Sequence, residues 1–269
     1  MIRLGVAGWP VAHSRSPAMH NAALAELGLG DWRYSKLPIP PERFAETVRA
    51  LAGQGFRGIN VTIPHKEAAL ALADTATDTA RAVGAANTLT FSDGRIHAEN
   101  TDVGGLLDAL GPGRSPKGLR ALVLGAGGAG RGAVHALVSA GAADVMVWNR
   151  TPERADRVAR ELGARSVRTP EPAELIVQTT SVGLKDSDQA FKALPLHADT
   201  FEAGMFVVDM VYRAEGTSFL AAAERRGADV VDGLDVLVGQ GALALELWTG
   251  RPAPRKTMRR AVTDPDRPA

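Results

Sequence analysis

At roughly 150 residues per domain, the length of 269 residues predicts two domains, with one large domain as the alternative. The 31 basic and 30 acidic residues leave a net charge of +1, so no sustained field would attract nucleic acid or an anionic membrane. Cysteine is absent and the six histidines are scattered, so we expect no disulfide, no thiol nucleophile and no metal site. No apolar run approaches the roughly 20 residues that span a bilayer, and we expect a cytoplasmic protein.

Strand-like and helical stretches alternate from the start of the chain. The runs "RLGVAG", "WRYSKLPI" and "GINVTI" are each followed by a helical pattern, "SPAMHNAALAELG", "PERFAETVRALAG" and "PHKEAALALA" in turn. This rhythm predicts an α/β fold with a mainly parallel sheet and crossover helices. Further on, "ANTLTF", the turn "SDG" and "RIHAEN" predict a β-hairpin.

A second α/β segment follows the helix "DVGGLLDAL". The loop between them, "GPGRSPKG", has two prolines and three glycines, a composition typical of a boundary. The final part, "LDVLVGQGALALELWTG" and "PRKTMRRAV", is helical and has no strand partner of its own. We therefore predict one domain of residues 1–103 completed by 238–269, and a second domain of residues 104–237.

Gly125, Gly127 and Gly130 stand between a hydrophobic strand and an amphipathic helix in "ALVLGAGGAGRGAVHAL". In this setting glycines allow a tight turn, close approach of the backbone to a pyrophosphate and close packing of helix on sheet. The helix N-terminus adds N–H groups and a favourable dipole for an anion. The segment predicts a Rossmann-like nucleotide site; the alternative is a glycine turn that binds nothing.

The end of the next strand indicates which nucleotide is bound. An NAD site has an acidic residue roughly 20 positions beyond the glycines, but here the strand "DVMVW" ends in Asn149, Arg150 and Thr151. Arg150 can pair with a 2′-phosphate and Thr151 can donate a hydroxyl, which favours NADP. The alternative is that Thr151 only caps the helix that begins near Pro152.

Two serines near the N-terminus suggest a carboxylate site. Ser16 precedes Pro17 and is a sound N-cap for the first helix. In an extended segment Ser14 would point to the same side as Ser16, so both hydroxyls would converge before the helix N-terminus. The alternative is that they serve the helix alone.

Lys66 is an unexpected residue for the start of a helix. If Pro64 is the first helical residue, Lys66 lies in the first turn, where the helix dipole disfavours a positive charge. Only six of the 31 basic residues are lysine, and arginine cannot exchange a proton at neutral pH. Lys66 is thus a candidate acid/base, with a solvated surface lysine as the alternative. Asp102 is a candidate partner, or simply an N-cap.

The motifs together resemble the shikimate dehydrogenase family over essentially the whole chain. The matching segments are "SRSP" (14–17), "GINVTIPHK" (58–66), "GAANTL" (84–89), "NTD" (100–102), "GAGGAGR" (125–131), "NRT" (149–151), "TTSVG" (179–183), "DMVY" (209–212) and "GQGALALELWTG" (239–250). The resemblance implies an N-terminal α/β substrate domain, a Rossmann-like NADP domain and a cleft between them. It also implies reduction of 3-dehydroshikimate to shikimate with NADPH, a step of aromatic biosynthesis.

The resemblance implies roles for individual residues. Lys66 and Asp102 would form the catalytic pair, with Lys66 supplying the proton. The substrate would be bound by Ser14, Ser16, Asn60, Thr62, Asn87, Asp102, Tyr212 and Gln240. NADP would be bound by Gly125, Ala126, Gly127, Gly128, Ala129, Gly130, Arg131, Asn149, Arg150, Thr151, Thr179, Ser181, Met210, Val211 and Gly233.

Four positions depart from the usual family pattern. Gln178 stands where asparagine is common, Arg213 where asparagine often follows the tyrosine, Val236 where methionine is frequent, and Gly239 where a larger residue is usual. These departures bear on rate and cofactor fit rather than on the type of reaction.

Two other functions remain open. A quinate or dual quinate/shikimate dehydrogenase is the nearest, although relatives dedicated to quinate often use NAD, and some carry threonine at the position of Ser16. A non-catalytic NADP-binding sensor is the other, and the presence of both Lys66 and Asp102 argues against it. In each case we expect a small-molecule ligand and a monomer or homodimer, with neither nucleic acid nor membrane as a partner.

Overall fold

We describe the protein from a computed structural model that covers residues 1–184, 190–213 and 216–263. The chain folds into two compact units. The first unit is Met1–Gly105 with Leu237–Ala269, and the second is Leu106–Val236. Residues 264–269, the end of the first predicted domain, lie outside the described residues. The predicted α/β class is confirmed, since each unit combines a sheet with helices.

The sheet of the first unit runs in the order β2-β1-β3-β5-β6-β4. Its strands are β1 (Ile2–Gly8), β2 (Trp32–Pro38), β3 (Phe56–Val61), β4 (Thr75–Ala76), β5 (Thr88–Ser92) and β6 (Arg95–Glu99). Its helices up to the boundary are α1 (Ser16–Glu26), α2 (Phe44–Ala52), α3 (Lys66–Leu72), α4 (Asp78–Val83) and the beginning of α5 (Thr101–Leu110). Buried side chains from these strands and from α2 and α3, among them Ile59, Phe44 and Leu72, form a common apolar core.

The predicted hairpin is confirmed as β5 and β6. The two strands are antiparallel, and Ser92 pairs with Arg95 across a two-residue turn. Asp93 and Gly94 both have positive φ, 52° and 71°. This conformation matches the right-handed twist of a hairpin and is readily adopted by an aspartate–glycine pair.

The segments that carry predicted polar residues lie at one edge of this sheet. β1, β3 and β6 run in one direction, so their carboxyl ends lie at the same edge, and antiparallel β5 begins there. Lys66 follows β3, Asn87 precedes β5, and Asp102 follows β6. The topology thus brings residues that are distant in sequence to one place.

The sheet of the second unit is parallel throughout its described strands, in the order β12-β11-β10-β7-β8-β9. The strands are β7 (Arg120–Leu124), β8 (Asp144–Trp148), β9 (Arg165–Ser166), β10 (Leu175–Gln178), β11 (Phe206–Asp209) and β12 (Asp229–Val231). The helices are α6 (Gly128–Ser139), α7 (Pro152–Leu162), α8 (Ala190–Ala193) and α9 (Ser218–Arg225). The strand order reverses between β7 and β10, and ligands of such sheets bind outside the carboxyl ends at this point.

Two C-terminal helices complete the first unit. α10 (Gly233–Thr249) begins in the second unit and continues into the first, and α11 (Arg255–Thr263) packs on α1. Met258 of α11 is fully buried, and the Arg15 guanidinium donates to the Val262 carbonyl. Within the described part of the chain, no helix has the length and apolarity needed to cross a membrane.

Candidate active site

Lys66 and Asp102 form a close ion pair at the edge of the first sheet. Lys66 Nζ lies 2.5 Å from Asp102 Oδ2, and the two side chains are only 12% and 7% exposed. A charge pair this far removed from water is held by specific geometry, because each ion loses most of its hydration. The Asp102 carboxylate is therefore a fixed negative charge beside the Lys66 ammonium.

Asn87 orients the aspartate of this pair. Its Nδ2 lies 2.9 Å from Asp102 Oδ1, 3.0 Å from Thr101 Oγ1 and 3.2 Å from Gln240 Oε1. Its Oδ1 accepts the Thr101 backbone N–H at 2.7 Å. Asn87 is buried, and its contacts join the segment that leads into β5 to α5 and α10.

Asn60 belongs to the same network, because its partner Thr88 also hydrogen-bonds to Asn87 Oδ1. Its Oδ1 accepts from the Tyr34 hydroxyl at 2.8 Å, and its Nδ2 donates to Thr88 Oγ1 at 3.0 Å. Tyr34 is buried and stacks on His20 with ring centroids 4.2 Å apart. Burial lowers the pKa of His20 to about 3, so this ring is neutral. Buried aromatic rings thus support the Asn60 amide.

The serines lie together, but not in the predicted conformation. Ser14 and Ser16 are both buried, and the Ser16 backbone N–H donates to Ser14 Oγ at 3.3 Å. The prediction of Ser16 as N-cap is wrong, because α1 begins at Ser16 and Arg15 occupies the cap position. Arg15 has helical rather than extended angles, so the expected alternation along an extended segment is also wrong. Two hydroxyls nevertheless stand at the start of α1.

Two other predicted helix starts also differ from the structure. α3 begins at Lys66 with His65 at the cap position, so Pro64 is not the first helical residue. Lys66 still lies in the first turn, as predicted. Asp102 is not an N-cap either, because its backbone N–H donates to Asn100 Oδ1 at 3.1 Å. Asn100 takes the capping role, which leaves the Asp102 carboxylate for Lys66 and Asn87.

In the glycine turn of the second unit, backbone segments lie very close to each other. Gly125 has φ of +113°, and a Cβ on Gly130 would lie 2.2 Å from the Gly125 carbonyl oxygen. A Cβ on Gly127, by contrast, would meet no protein atom within 4 Å. The first and third glycines therefore serve the fold, whereas the second leaves room above the N-terminus of α6. An anionic pyrophosphate fits such a cradle.

The residues after β8 lie next to this turn. Asn149 Oδ1 accepts the Ala126 backbone N–H at 3.2 Å, and Asn149 Nδ2 donates to the Thr151 carbonyl at 2.9 Å. Arg150 and Thr151 are exposed, and Thr151 occupies the cap position of α7 without a capping hydrogen bond from its side chain. A guanidinium and a hydroxyl stand here with no carboxylate among residues 149–151, so the site fits a 2′-phosphate.

Arg131 lies in a different environment from these exposed groups. Its side chain is 8% exposed and forms an ion pair of 2.7 Å with Glu161. This contact joins α6 to α7. Ala126, Gly128 and Ala129 lie in the turn and at the start of α6, where their backbone can face an anion.

The remaining predicted nucleotide contacts follow two adjacent strands. Thr179 and Ser181 come after β10, and Met210 and Val211 come after β11, where they are followed by Tyr212, a predicted substrate contact. A Cβ on Gly233 would lie 2.8 Å from the carbonyl oxygens of residues 209, 210 and 211, so only glycine fits where α10 starts. Thr62, the last predicted substrate contact, is partly buried just after β3.

Three family models match this chain. The model of the shikimate dehydrogenase substrate binding domain matches residues 6–89, that of shikimate / quinate 5-dehydrogenase matches 112–182, and that of the shikimate 5'-dehydrogenase C-terminal domain matches 233–263. A shikimate dehydrogenase (NADP(+)) of Thermus thermophilus is 48% identical over 255 residues, which are 93% of this chain and 93% of that protein.

This chain belongs to the shikimate dehydrogenase family. A shikimate 5-dehydrogenase from Thermus thermophilus, solved in complex with NADP(H) and shikimate, matches with a TM-score of 0.88 and 45% identity, over 97% of this chain and 98% of that one. The shikimate dehydrogenase from Aquifex aeolicus matches with a TM-score of 0.91 and 38% identity, over 98% of both chains. The resemblance found in the sequence motifs is confirmed.

One departure from the family pattern has a structural reason. A Cβ on Gly239 would lie 2.8 Å from the Gly105 carbonyl oxygen, and one on Gly105 would lie 2.5 Å from the Gln240 backbone nitrogen. The paired glycines let α5 and α10 approach closely. That approach brings Gln240 within reach of Asn87.

Several residues of this site were not predicted. Tyr34, Thr88, Thr101 and Asn100 all bond to the predicted amides or to Asp102. The motif "ENTD" contains two of them, and their capping propensity was the available signal. Tyr34 and Thr88 carried no local signal, because their partner Asn60 lies on another strand of the sheet. Within the described ranges, no three His, Asp or Glu residues group as a metal site would require.

Proposed function

We propose that this protein catalyses the reversible, NADP-dependent reduction of 3-dehydroshikimate to shikimate. The observation that carries the proposal is the shielded contact of 2.5 Å between Lys66 Nζ and Asp102 Oδ2. Family membership supports the substrate and the cofactor, because relatives at high identity and coverage carry this activity in their names. NADP, when bound, supplies the hydride donor or acceptor.

Lys66 is the proposed acid/base. In the direction of reduction its ammonium donates a proton to the oxygen of the substrate ketone, where negative charge develops. In the reverse direction the amine takes the proton from the hydroxyl. Asp102 balances the ammonium charge and holds Nζ in place, and Asn87 fixes the Asp102 carboxylate.

The neighbouring polar groups are the proposed substrate contacts. Ser14 and Ser16 at the start of α1 are suited to a carboxylate, with Tyr212 as a further contributor. The amides and hydroxyls are suited to a polyhydroxylated ring, and they are Asn60, Thr62, Asn87 and Gln240. The proposed NADP contacts are Gly125–Arg131, Asn149–Thr151, Thr179, Ser181, Met210, Val211 and Gly233.

These assignments divide the work between two domains. We propose that residues 1–103 with 238–269 bind substrate and residues 104–237 bind NADP. The match of residues 6–89 to a substrate-binding domain model supports the first half, and the glycine turn supports the second. We further propose a cytoplasmic location and a monomeric or homodimeric state, which cell fractionation and light scattering of the purified protein would test.

A crossed assay tests the function directly. Purified protein is mixed with shikimate or quinate and with NADP or NAD, and formation of the reduced nicotinamide is followed spectrophotometrically. We expect the highest kcat/KM with shikimate and NADP. A higher value with quinate would reassign the substrate, and binding of NADP without turnover of either acid would support a sensor instead.

A further inference from the structure

Asp209 is a buried carboxyl group with no part in the proposed chemistry. It ends β11 and is 1% exposed. Its Oδ1 accepts from Gln178 Nε2 at 3.1 Å and from the Val211 backbone N–H at 3.0 Å. Its Oδ2 accepts from the Thr217 hydroxyl at 2.7 Å. One carboxyl group therefore joins the ends of β10 and β11 to the cap residue of α9.

Gln178 extends this connection into the loop after β10. Its Oε1 accepts the Thr180 backbone N–H at 2.5 Å, and its Nε2 also donates to the Val182 carbonyl at 3.1 Å. Arg213 adds a second link, because its Nη1 donates to the Gly183 and Leu184 carbonyls at 3.3 and 3.2 Å. The segments 179–184 and 210–213 are thus held to each other through side chains rather than by a sheet.

We propose that Asp209 is a positioning residue that sets these two segments for the nicotinamide half of NADP, acting through Gln178 and Val211. The proposal rests on the proposed function, which assigns Thr179, Ser181 and Met210 to that half of the cofactor. A buried carboxyl that receives three hydrogen bonds costs stability to maintain, and such groups are retained where they fix geometry. Gln178, which stands where asparagine is common in the family, makes three of the hydrogen bonds in this connection.

The test separates the two halves of the cofactor. Asp209→Ala and Gln178→Met are compared with wild type for kcat and KM with NADP and shikimate, and for Kd of NADP and of adenosine 2′,5′-bisphosphate. We expect kcat/KM for NADP to fall about 100-fold, as for a misplaced reacting group, while the bisphosphate Kd stays within about twofold. Asp209→Asn should recover most of the activity, since its amide can accept from Gln178 and Val211 and donate to Thr217 Oγ1.

Asp156→Ala is the matched control in the same unit. The Asp156 carboxylate also accepts three hydrogen bonds, from Ser166 and Arg168. This variant should keep kcat/KM near the wild-type value. Wild-type kinetics for Asp209→Ala, or equal weakening of NADP and bisphosphate binding, would overturn the proposal. If Asp209→Ala does not fold, Gln178→Met decides the question. If wild type does not turn over shikimate, the proposed function fails. The Kd values of NADP and of the bisphosphate then still test the positioning role of Asp209.

Discussion

Lys66 experiences two opposing electrostatic influences. The N-terminus of α3 disfavours its positive charge, and the Asp102 carboxylate at 2.5 Å favours it. Removing the lysine would leave Asp102 buried without a counter-ion, a change that typically costs about 3–5 kcal/mol of folding free energy. A kinetic test of Lys66 therefore needs a variant that keeps the charge.

Lys66→Arg is that variant. Arginine retains the positive charge but does not give up a proton at neutral pH, so we expect kcat to fall by about 100-fold to 10,000-fold with little change in the KM for shikimate. Steady-state kinetics of Lys66→Arg beside Lys66→Ala, together with the melting temperature of each, measure this. A large rise in KM at unchanged kcat would show that Lys66 binds substrate instead of transferring a proton.

Arg150 is expected to decide between the two nicotinamide cofactors. Its exposed guanidinium follows β8, and a charged hydrogen bond of this kind contributes about 1.5–3 kcal/mol. Arg150→Ala should therefore lower kcat/KM for NADP about 10-fold to 100-fold and leave the value for NAD unchanged. Arg157→Ala, an exposed arginine farther along α7, is the control. Equal losses with both cofactors would remove Arg150 from the 2′-phosphate site.

At the scale of elements, the glycines decide how closely helices and turns approach one another. Gly105 and Gly239 bring α5 against α10, and Gly130 brings α6 against the turn after β7. A Cβ added at any of these three glycines would lie within 3 Å of a backbone atom, and no side-chain rotation could relieve that clash. Gly127 differs from these three because it faces open space.

Gly130→Ala and Gly127→Ala should therefore affect different properties, the first stability and the second NADP binding. Gly130→Ala places a methyl group 2.2 Å from the Gly125 carbonyl oxygen, so we expect a loss of about 1–3 kcal/mol in the free energy of unfolding. Gly127→Ala should leave the melting temperature without NADP unchanged, since φ there is −88°. Its methyl group should instead weaken NADP binding. Thermal unfolding and NADP titration of both variants measure this, and normal NADP affinity in Gly127→Ala would contradict the proposed cradle.

At the scale of the whole molecule, one buried group in each unit responds to pH, and the two responses have opposite signs. Burial lowers the pKa of His20 in the first unit to about 3, so its stabilising contribution is lost as pH falls below about 6.5. Burial raises the pKa of Asp209 in the second unit to about 7, although three groups donate hydrogen bonds to it. Its contribution is present below about pH 4 and is lost as pH rises through about 7.

Asp209→Asn should remove the loss of stability that wild type shows as the pH rises toward 7. A rise of about three pKa units corresponds to roughly 4 kcal/mol at most, so wild type should lose stability between about pH 4 and pH 7 relative to this variant. Thermal unfolding at several pH values measures the difference. An identical pH dependence in wild type and Asp209→Asn would show that Asp209 does not titrate in this range.

The α/β class and the position of the polar groups were predictable from local pattern. Strand and helix periods alternate clearly, and a parallel strand that ends beside a polar residue places it at the ligand edge. The cap residues were not predictable, because the cap position of α1 holds Arg15, which has no particular capping propensity, and "ENTD" offers three residues that all cap well. In "ENTD" Asn100 takes the cap and Asp102 binds Lys66, a contact that depends on strand order. The roles of Tyr34 and Asp209 were missed because they depend on contacts with other elements, Tyr34 with Asn60 of β3 and Asp209 with Gln178 of β10 and the cap residue of α9.

The two units become complete at different times during synthesis. A nascent chain that has reached Val236 contains the entire second unit, whereas the first still lacks Gln240 and all of α11. Until α11 emerges, Met258 is missing from its buried position beside α1. Domains generally fold as units as they leave the ribosome, so the second unit is free to fold first. Lys66 and Asp102, although made early, gain their full surroundings last.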